Sequence, residues 1–331
     1  MKKLLVTAAL IVNSRGEYLL AQRPRGKAHE GLWEFPGGKI EAGEDAATAL
    51  ARELKEELDL ELLASEAHGV YTHVYVQEKL ALTLTVLRVS AWRGNPIGLE
   101  GQAHRWVSAA RIHRLQMLSA DRPIALELGL PNTLLITPEP PAPGSGISAR
   151  RLWLRALERS LEQGQKLILL RVKQAPLIEH HAIAALARDM VRQHGAEIML
   201  QDDAELCERW RFGGVSLTAK ALNLKKLDRS KKRTLPVEFW LSASCHSAAE
   251  LSLANAIGCD FATLSPVLAT PSHPGAPSLG WPRLAELLSA PSLPVFALGG
   301  LAAPDLAAAK AAGAWGVAGI SAFWAAQDQQ L

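Results

Sequence analysis

At 331 residues, 48% hydrophobic and 21% charged, the chain is too apolar for a disordered protein and long enough for two domains with separate cores. A formal net charge of +3 makes no electrostatic case for stable nucleic-acid binding, and no signal peptide or membrane-spanning run is visible. Three cysteines, Cys207, Cys245 and Cys259, are odd in number and lack metal-ligand spacing, which suits reduced thiols in the cytoplasm.

Residues 4–12 form a short apolar run that reads as a strand. Gly37 and Gly38 let the backbone turn sharply and bring a carbonyl to close range. Residues 45–58 are rich in Ala, Leu, Glu and Lys, contain no Gly or Pro, and begin with the capping residue Asp45, so they are predicted to be helical. Leu50, Leu54 and Leu58 then make an apolar stripe. Glu53, Glu56 and Glu57 stand at i, i+3 and i+4 on a neighbouring face, where three carboxylates repel one another. A hard divalent cation would relieve the repulsion and recruit a diphosphate. The bland alternative, a solvated acidic face, requires neither the preceding Pro-Gly-Gly nor an Arg beside the first Glu.

Gly38, Glu44 and the run Arg52-Glu53-Leu54-Lys55-Glu56-Glu57 resemble the Nudix hydrolase box, with Asp59 where the family has glycine. Asp59 lies at the helix C-terminus, where Asp can adopt a left-handed conformation at some cost, so stability rather than chemistry is expected to feel the change. The opening segment resembles the MutT-like branch, with two strands around Ser14-Arg15-Gly16-Glu17 and then Arg23 in a basic loop. So do Leu99-Glu100-Gly101-Gln102, Trp106 in the next strand, and Ala120-Asp121-Arg122-Pro123, where Asp121 replaces an asparagine that reads the oxidised base. The resemblance implies that Glu53, Glu56 and Glu57 bind magnesium, with manganese as the alternative, and that Gly38 adds a carbonyl and Glu100 completes a second site. It also implies that Glu53 activates water, held by Arg52 with Glu44 in the same catalytic set, while Arg23 meets phosphate and Phe35 and Asp121 meet the substrate's base. Water then attacks the β-phosphorus of a nucleoside triphosphate, releasing a monophosphate and pyrophosphate.

The first domain is expected over residues 1–130, because Pro131-Asn132 breaks the helix suggested by residues 122–130. Residues 138–146 are Pro-Gly-rich like a linker, yet a short strand at 134–137 precedes them. Strands follow at 167–172, 198–200, 214–217, 239–243, 261–264, 295–298 and 316–319, with helical segments such as 183–193 between them. Eight βα units over 133–331 predict a (β/α)8 TIM barrel, and 138–146 becomes its first βα loop. The overall class is thus α/β, a Nudix α/β/α sandwich followed by a barrel. The basic run Lys225, Lys226, Arg229, Lys231, Lys232 and Arg233 has no interleaved aromatics and reads as a solvated loop, with phosphate steering as the alternative. Gly299-Gly300 after the seventh strand and Ser321 after the eighth occupy the loops where such barrels hold phosphate.

Ser244-Cys245-His246-Ser247, the stretch 264–277, Leu298-Gly299-Gly300-Leu301 and 317–322 resemble the thiamine-phosphate synthase and thiazole tautomerase superfamily. That resemblance assigns Arg171 and Lys173 to basic positions, Asp202 to one metal aspartate, and Thr270, Gly300 and Ser321 to phosphate contacts. The motif that supplies the second aspartate reads Thr218-Ala219-Lys220-Ala221 here, Leu169 replaces a substrate glutamine, and His273 replaces a lysine. These departures argue against the synthase reaction and leave a pocket for a thiazole-phosphate-like ligand formed with Ser244 and His246. His246 is also a candidate acid/base because imidazole titrates near neutrality. The expected function is clearance of 8-oxo-dGTP. Hydrolysis of thiamine-related diphosphates, or a barrel serving as a ligand sensor or interaction module, are the alternatives. The sequence carries no signal for oligomeric state.

Overall fold

The computed structural model describes residues 2–75, 79–173, 177–225, 233–270, 277–289 and 293–325. The chain divides into two compact units, Met1–Leu130 and Pro131–Leu331.

In the first unit, β1 (Lys2–Ile11) runs parallel to β6 (Leu80–Arg93) and antiparallel to β4 (Gly37–Lys39), while β5 (Glu61–Tyr75) pairs with the other edge of β6. A second sheet joins β2 (Glu17–Gln22) to β3 (Trp33–Glu34) and β7 (His104–Ser108). Helix α1 (Ala46–Leu58) covers one face, and α2 (Ala109–Ile112) with α3 (Arg122–Gly129) covers the other. The period-2 alternation of β1 builds both cores. Ala9 and Ile11 pack with Leu50, Leu54 and Leu58 of α1, whereas Ala8 and Leu10 pack with Phe35, Ile124 and Ala125. This is the expected α/β/α sandwich.

Gly37 and Gly38 do not make the sharp turn read from the sequence. They lie in β4, paired with Ala8 and Thr7, and a Cβ on Gly37 would stand 2.1 Å from the Thr7 carbonyl oxygen. Glycine is needed here for close approach of two backbones.

The second unit is a closed parallel barrel of β8 (Thr133–Ile136), β9 (Leu167–Leu170), β10 (Glu197–Gln201), β11 (Gly214–Leu217), β12 (Trp240–Cys245), β13 (Phe261–Leu264), β14 (Val295–Leu298) and β15 (Gly316–Gly319). Helices α4 (Ile147–Glu162), α5 (His181–Gln193), α6 (Ala204–Trp210), α7 (Ala219–Lys225), α8 (Ala248–Ala256), α9 (Gly280–Leu287) and α10 (Leu306–Ala311) lie between the strands in the chain. Residues 138–146 link β8 to α4, as a first βα loop should. Outward side chains such as Leu135, Ile168 and Leu241 join the helix-side core. Trp240, Phe261 and Phe296 alternate with outward neighbours and stack edge-to-face near the strand N-terminal ends, with ring centroids 5.9 and 5.4 Å apart. No helix among the described residues is long and apolar enough to cross a membrane. All three cysteines are free and buried.

The basic run needs a correction at its end. Residues 226–232, and with them Lys226, Arg229, Lys231 and Lys232, lie outside the described residues. Arg233 is not a solvated loop residue. Its guanidinium is only 12% exposed and bonds Asp260, itself 2% exposed, at 2.8 Å, while a second Asp260 bond comes from the Leu241 amide at 2.9 Å. Replacing Arg233 with Met would leave the buried Asp260 carboxylate without this counter-charge, so urea unfolding should show a loss of about 3–5 kcal/mol; a loss below ~1 kcal/mol would mean that its remaining hydrogen bonds satisfy it.

Candidate functional sites in each unit

Helix α1 starts where the Asp45 side chain accepts the Thr48 amide at 2.7 Å and ends at Asp59, left-handed at φ 53° as expected for the position where the family has glycine. Between these ends, Arg52 forms the centre of a charge network. Its Nε and Nη2 each reach a Glu44 oxygen at 2.9 Å, its Nη1 reaches Glu53 at 3.0 Å and Glu56 at 3.3 Å, and its Nη2 also donates to the Lys39 carbonyl at 3.0 Å. Hydrogen bonds from Arg52 and from the Glu41 amide pull the Glu44 carboxyl down to about 2. Arg52 thus ties the loop after β4 to the helix and presses Glu53 against Gly38, where a Cβ would fall 2.1 Å from the Glu53 carboxylate carbon.

Beside this contact opens a cavity of about 560 Å³. One end is apolar, lined by Leu4, Val6, Leu82, Leu84 and Phe35, with Asp121 among them. Asp121 is buried, and its Oδ1 accepts the Phe35 amide at 3.2 Å. Burial pushes its carboxyl up to about 8 against the pull of that amide, with the Glu34 charge adding to the rise. The other end is acidic, with Glu34, Glu53, Glu57 and Glu100. Arg23 is anchored there, its Nη1 spanning both Glu34 oxygens at 2.8 and 3.2 Å and its Nε donating to the Ala28 carbonyl at 2.7 Å. Lys27 pairs with Glu100. Burial first, then Glu34, Glu53 and Glu100, drives the Glu57 carboxyl up to about 7.

The fold therefore gathers Gly38, Glu53, Glu57, Glu100, Arg23, Phe35 and Asp121 around one space. Glu44, Arg52 and Glu56 stand behind it, Glu56 with its side chain 60% exposed. Among the described residues, no three acidic, histidine or cysteine side chains already converge as a ligand shell. Sequence reasoning missed Glu34 and Lys27. Glu34 belongs to no helical repeat, and Lys27 meets Glu100 across 73 residues; only their nearness to Arg23 and Phe35 marked them.

In the barrel, parallel closure puts all eight strand C-terminal ends on one rim, and Arg171, Lys173, Asp202, Ser244, His246, Thr270, Gly299, Gly300 and Ser321 belong to it. The Arg171 amide donates to Thr137 Oγ1 at 3.2 Å, and the Lys173 amide to Glu139 at 2.8 Å. His246 Nδ1 lies 2.8 Å from the Ser265 carbonyl oxygen and 3.3 Å from the Ser265 hydroxyl. Gly299 and Gly300 both have positive φ, 105° and 66°, and pack against the 266–269 segment so closely that a Cβ on Gly300 would meet the Ala269 carbonyl oxygen at 2.5 Å. His273 lies outside the described residues.

A family model for thiamine monophosphate synthase matches residues 143–323, more than half the chain, and a model for the Nudix domain matches residues 7–127. The chain belongs to the thiamine monophosphate synthase family and carries a Nudix domain. Its Nudix domain is similar to the 8-oxo-dGTP diphosphatase of Haemophilus influenzae, 37% identical over 31% of this chain and 74% of that protein. The synthase-family barrel is similar to the thiamine-phosphate synthase of Thioalkalivibrio sulfidiphilus, 31% identical over 59% of this chain and 88% of that protein. It is also similar to the thiamine-phosphate synthase of Methanoculleus marisnigri, 36% identical over 48% of this chain and 74% of that one.

A divalent cation suits the Nudix domain. The acidic side chains there offer hard oxygens, and Glu57, forced toward protonation by burial and three neighbouring acids, gains from a positive charge beside it. The synthase-family barrel gives the opposite result. Both Asp202 oxygens are occupied by Thr218, one by its amide at 2.6 Å and one by its hydroxyl at 2.8 Å, and Ala221 offers no carboxylate. A two-aspartate magnesium site does not fit these residues.

Asp121 generates a pH prediction. In the folded Nudix domain it keeps its proton to about pH 8, whereas an unfolded Asp loses it near pH ~4. The stability linked to it is therefore full below that lower value and is lost as pH rises toward 8. Asp121→Asn cannot ionise, so its urea midpoint should gain on the wild type between pH 5 and 8.5; a constant difference would show that Asp121 is ionised in the fold.

Proposed function

We propose that the Nudix domain is a magnesium-dependent pyrophosphohydrolase of purine nucleoside triphosphates, taking 8-oxo-dGTP to 8-oxo-dGMP and pyrophosphate. Manganese is the alternative cation. The reading is carried by one cavity of about 560 Å³ that combines apolar side chains and the buried Asp121 with the carboxylates of Glu34, Glu53, Glu57 and Glu100, a lining suited to a base, a cation and a polyphosphate. The bound cation would neutralise charge on the bridging and leaving oxygens. Glu53, Glu57, Glu100 and the Gly38 carbonyl would hold it, with Glu56 at the margin. Arg52, braced by Glu44, fixes Glu53 as the group that orients and deprotonates the water attacking the β-phosphorus. Arg23, stiffened by Glu34, lines the phosphate path. Asp121, uncharged at neutral pH, presents an acceptor and a donor to the purine edge, as an amide does.

For the barrel we infer a pocket for a phosphate ester of the thiazole-phosphate kind, without the metal-diphosphate chemistry of the synthase reaction. The occupation of Asp202 by Thr218 supports this. His246, oriented through Nδ1 by Ser265, is the group available for proton transfer there. Calorimetry should detect thiazole phosphate binding without turnover, and thiamine phosphate formation would refute it.

The hydrolase reading is tested by magnesium-dependent pyrophosphate release from 8-oxo-dGTP, dGTP and thiamine pyrophosphate. Preference for the last would make the domain a housekeeper of thiamine-related diphosphates. Glu53→Gln and Glu57→Gln should each lower kcat by ~10²–10⁴ with circular dichroism unchanged, and wild-type rates in both would remove them from the mechanism. The wild-type preference between 8-oxo-dGTP and dGTP should change as pH rises through about 8, while Asp121→Asn stays flat; parallel profiles would end the base-reading role.

A further inference from the structure

Four carboxylates face the acidic end of the Nudix cavity, and three of them already hold a cationic side chain. Glu34 has Arg23 and Glu53 has Arg52, both pairs substantially buried and each arginine fixed by further bonds to backbone carbonyls. The third pair differs. Lys27 reaches Glu100 from the loop between β2 and β3, and both side chains are about half exposed. Lys27 Nζ has no other hydrogen-bonded partner among the described residues, and the nearby charges of Glu57 and Glu34 attract the ammonium without a direct bond.

The two partners are unequally anchored. The Glu100 amide donates to the Gln102 side chain at 2.8 Å, and Gln102 in turn donates to the Glu57 carbonyl at 2.9 Å, as does the Leu99 amide. Glu100 is thereby moored to the end of α1 next to Glu57. Lys27 sits on a loop closed mainly by its own turns, with its amide on the Pro24 carbonyl at 3.3 Å and the Gly26 amide on Glu30 at 2.9 Å. A flexible four-carbon stem on that loop can swing while the carboxylate stays. Exposed pairs of this kind are weak and easily exchanged.

We propose that Lys27 is a displaceable counter-cation of the site. It holds Glu100 in the nucleotide-free protein, yields that carboxylate when a divalent cation arrives with a polyphosphate, and then turns its ammonium onto the outermost phosphate. The proposal rests on the hydrolase reading and adds a positioning residue to it. Ammonium and divalent cation compete for one carboxylate, so metal occupancy at Glu100 is coupled to the presence of nucleotide. The free protein keeps a poor metal site there, and a substrate with a third phosphate is favoured because it offers Lys27 a new partner.

The test uses the full chain and Mn²⁺ alone as the probe, followed by electron paramagnetic resonance of the free ion without nucleotide. Lys27→Gln should tighten the Glu100-dependent Mn²⁺ site by about fivefold or more. Lys27→Arg, which keeps the charge, should remain near the wild type. Combining Lys27→Gln with Glu100→Gln should abolish the tightening. In steady-state assays Lys27→Gln should raise KM for the triphosphate about tenfold or more, with a smaller change in kcat and rescue by Arg. A merely structural clasp would raise KM without changing Mn²⁺ affinity, and unchanged Mn²⁺ affinity in Lys27→Gln overturns the proposal. Should the wild type hydrolyse none of the nucleotides, the hydrolase reading falls, while the Mn²⁺ measurement still decides whether Lys27 screens Glu100.

Discussion

The amino-terminal site depends on an atom that is absent. Because Gly38 has no Cβ, the Glu53 carboxylate lies directly against β4, inside a space that any other residue would fill. The same lack of side chains at Gly37 lets β4 hydrogen-bond closely to β1, so sheet, loop and helix converge within one turn of α1. Arg52 completes the arrangement from behind by bonding Glu44, Glu53 and the Lys39 carbonyl together. A carboxylate held on both sides keeps one orientation, and a group that must aim a water molecule needs that fixity.

What could be read from the sequence follows the range of the forces involved. Helix α1, its Asp45 cap and its leucine stripe are local features that appeared where residue type and spacing put them, and the left-handed Asp59 end stands where the family resemblance puts a glycine. The eight barrel strands were legible because each is a short apolar run set between helical stretches. Contacts between distant segments were not. Arg233 looked like part of a solvated charge run because Asp260 lies 27 residues away. Gly37 and Gly38 looked like a turn because the partner strand that demands them lies some thirty positions earlier. Glu34 and Lys27 gave no periodic signal, only nearness to Arg23 and Phe35, because loop folding and not spacing carries them to the cavity.

The barrel keeps the family's scaffold while two positions read differently, Thr218 beside Asp202 and Ala221 where the resemblance expects a carboxylate. Thr218 gives each oxygen of the exposed Asp202 carboxylate one neutral donor, which ties the end of β10 to the end of β11. The glycine pair after β14 and the hydrogen-bonded His246 keep their places on the rim. Fold and family are thus preserved together, while the reaction follows from the side chains that remain.

The interlocked rings of Trp240, Phe261 and Phe296 fill the barrel near the beginnings of their strands. Such a stopper closes the barrel axis to passage, so whatever settles on the rim must come and go from the rim side.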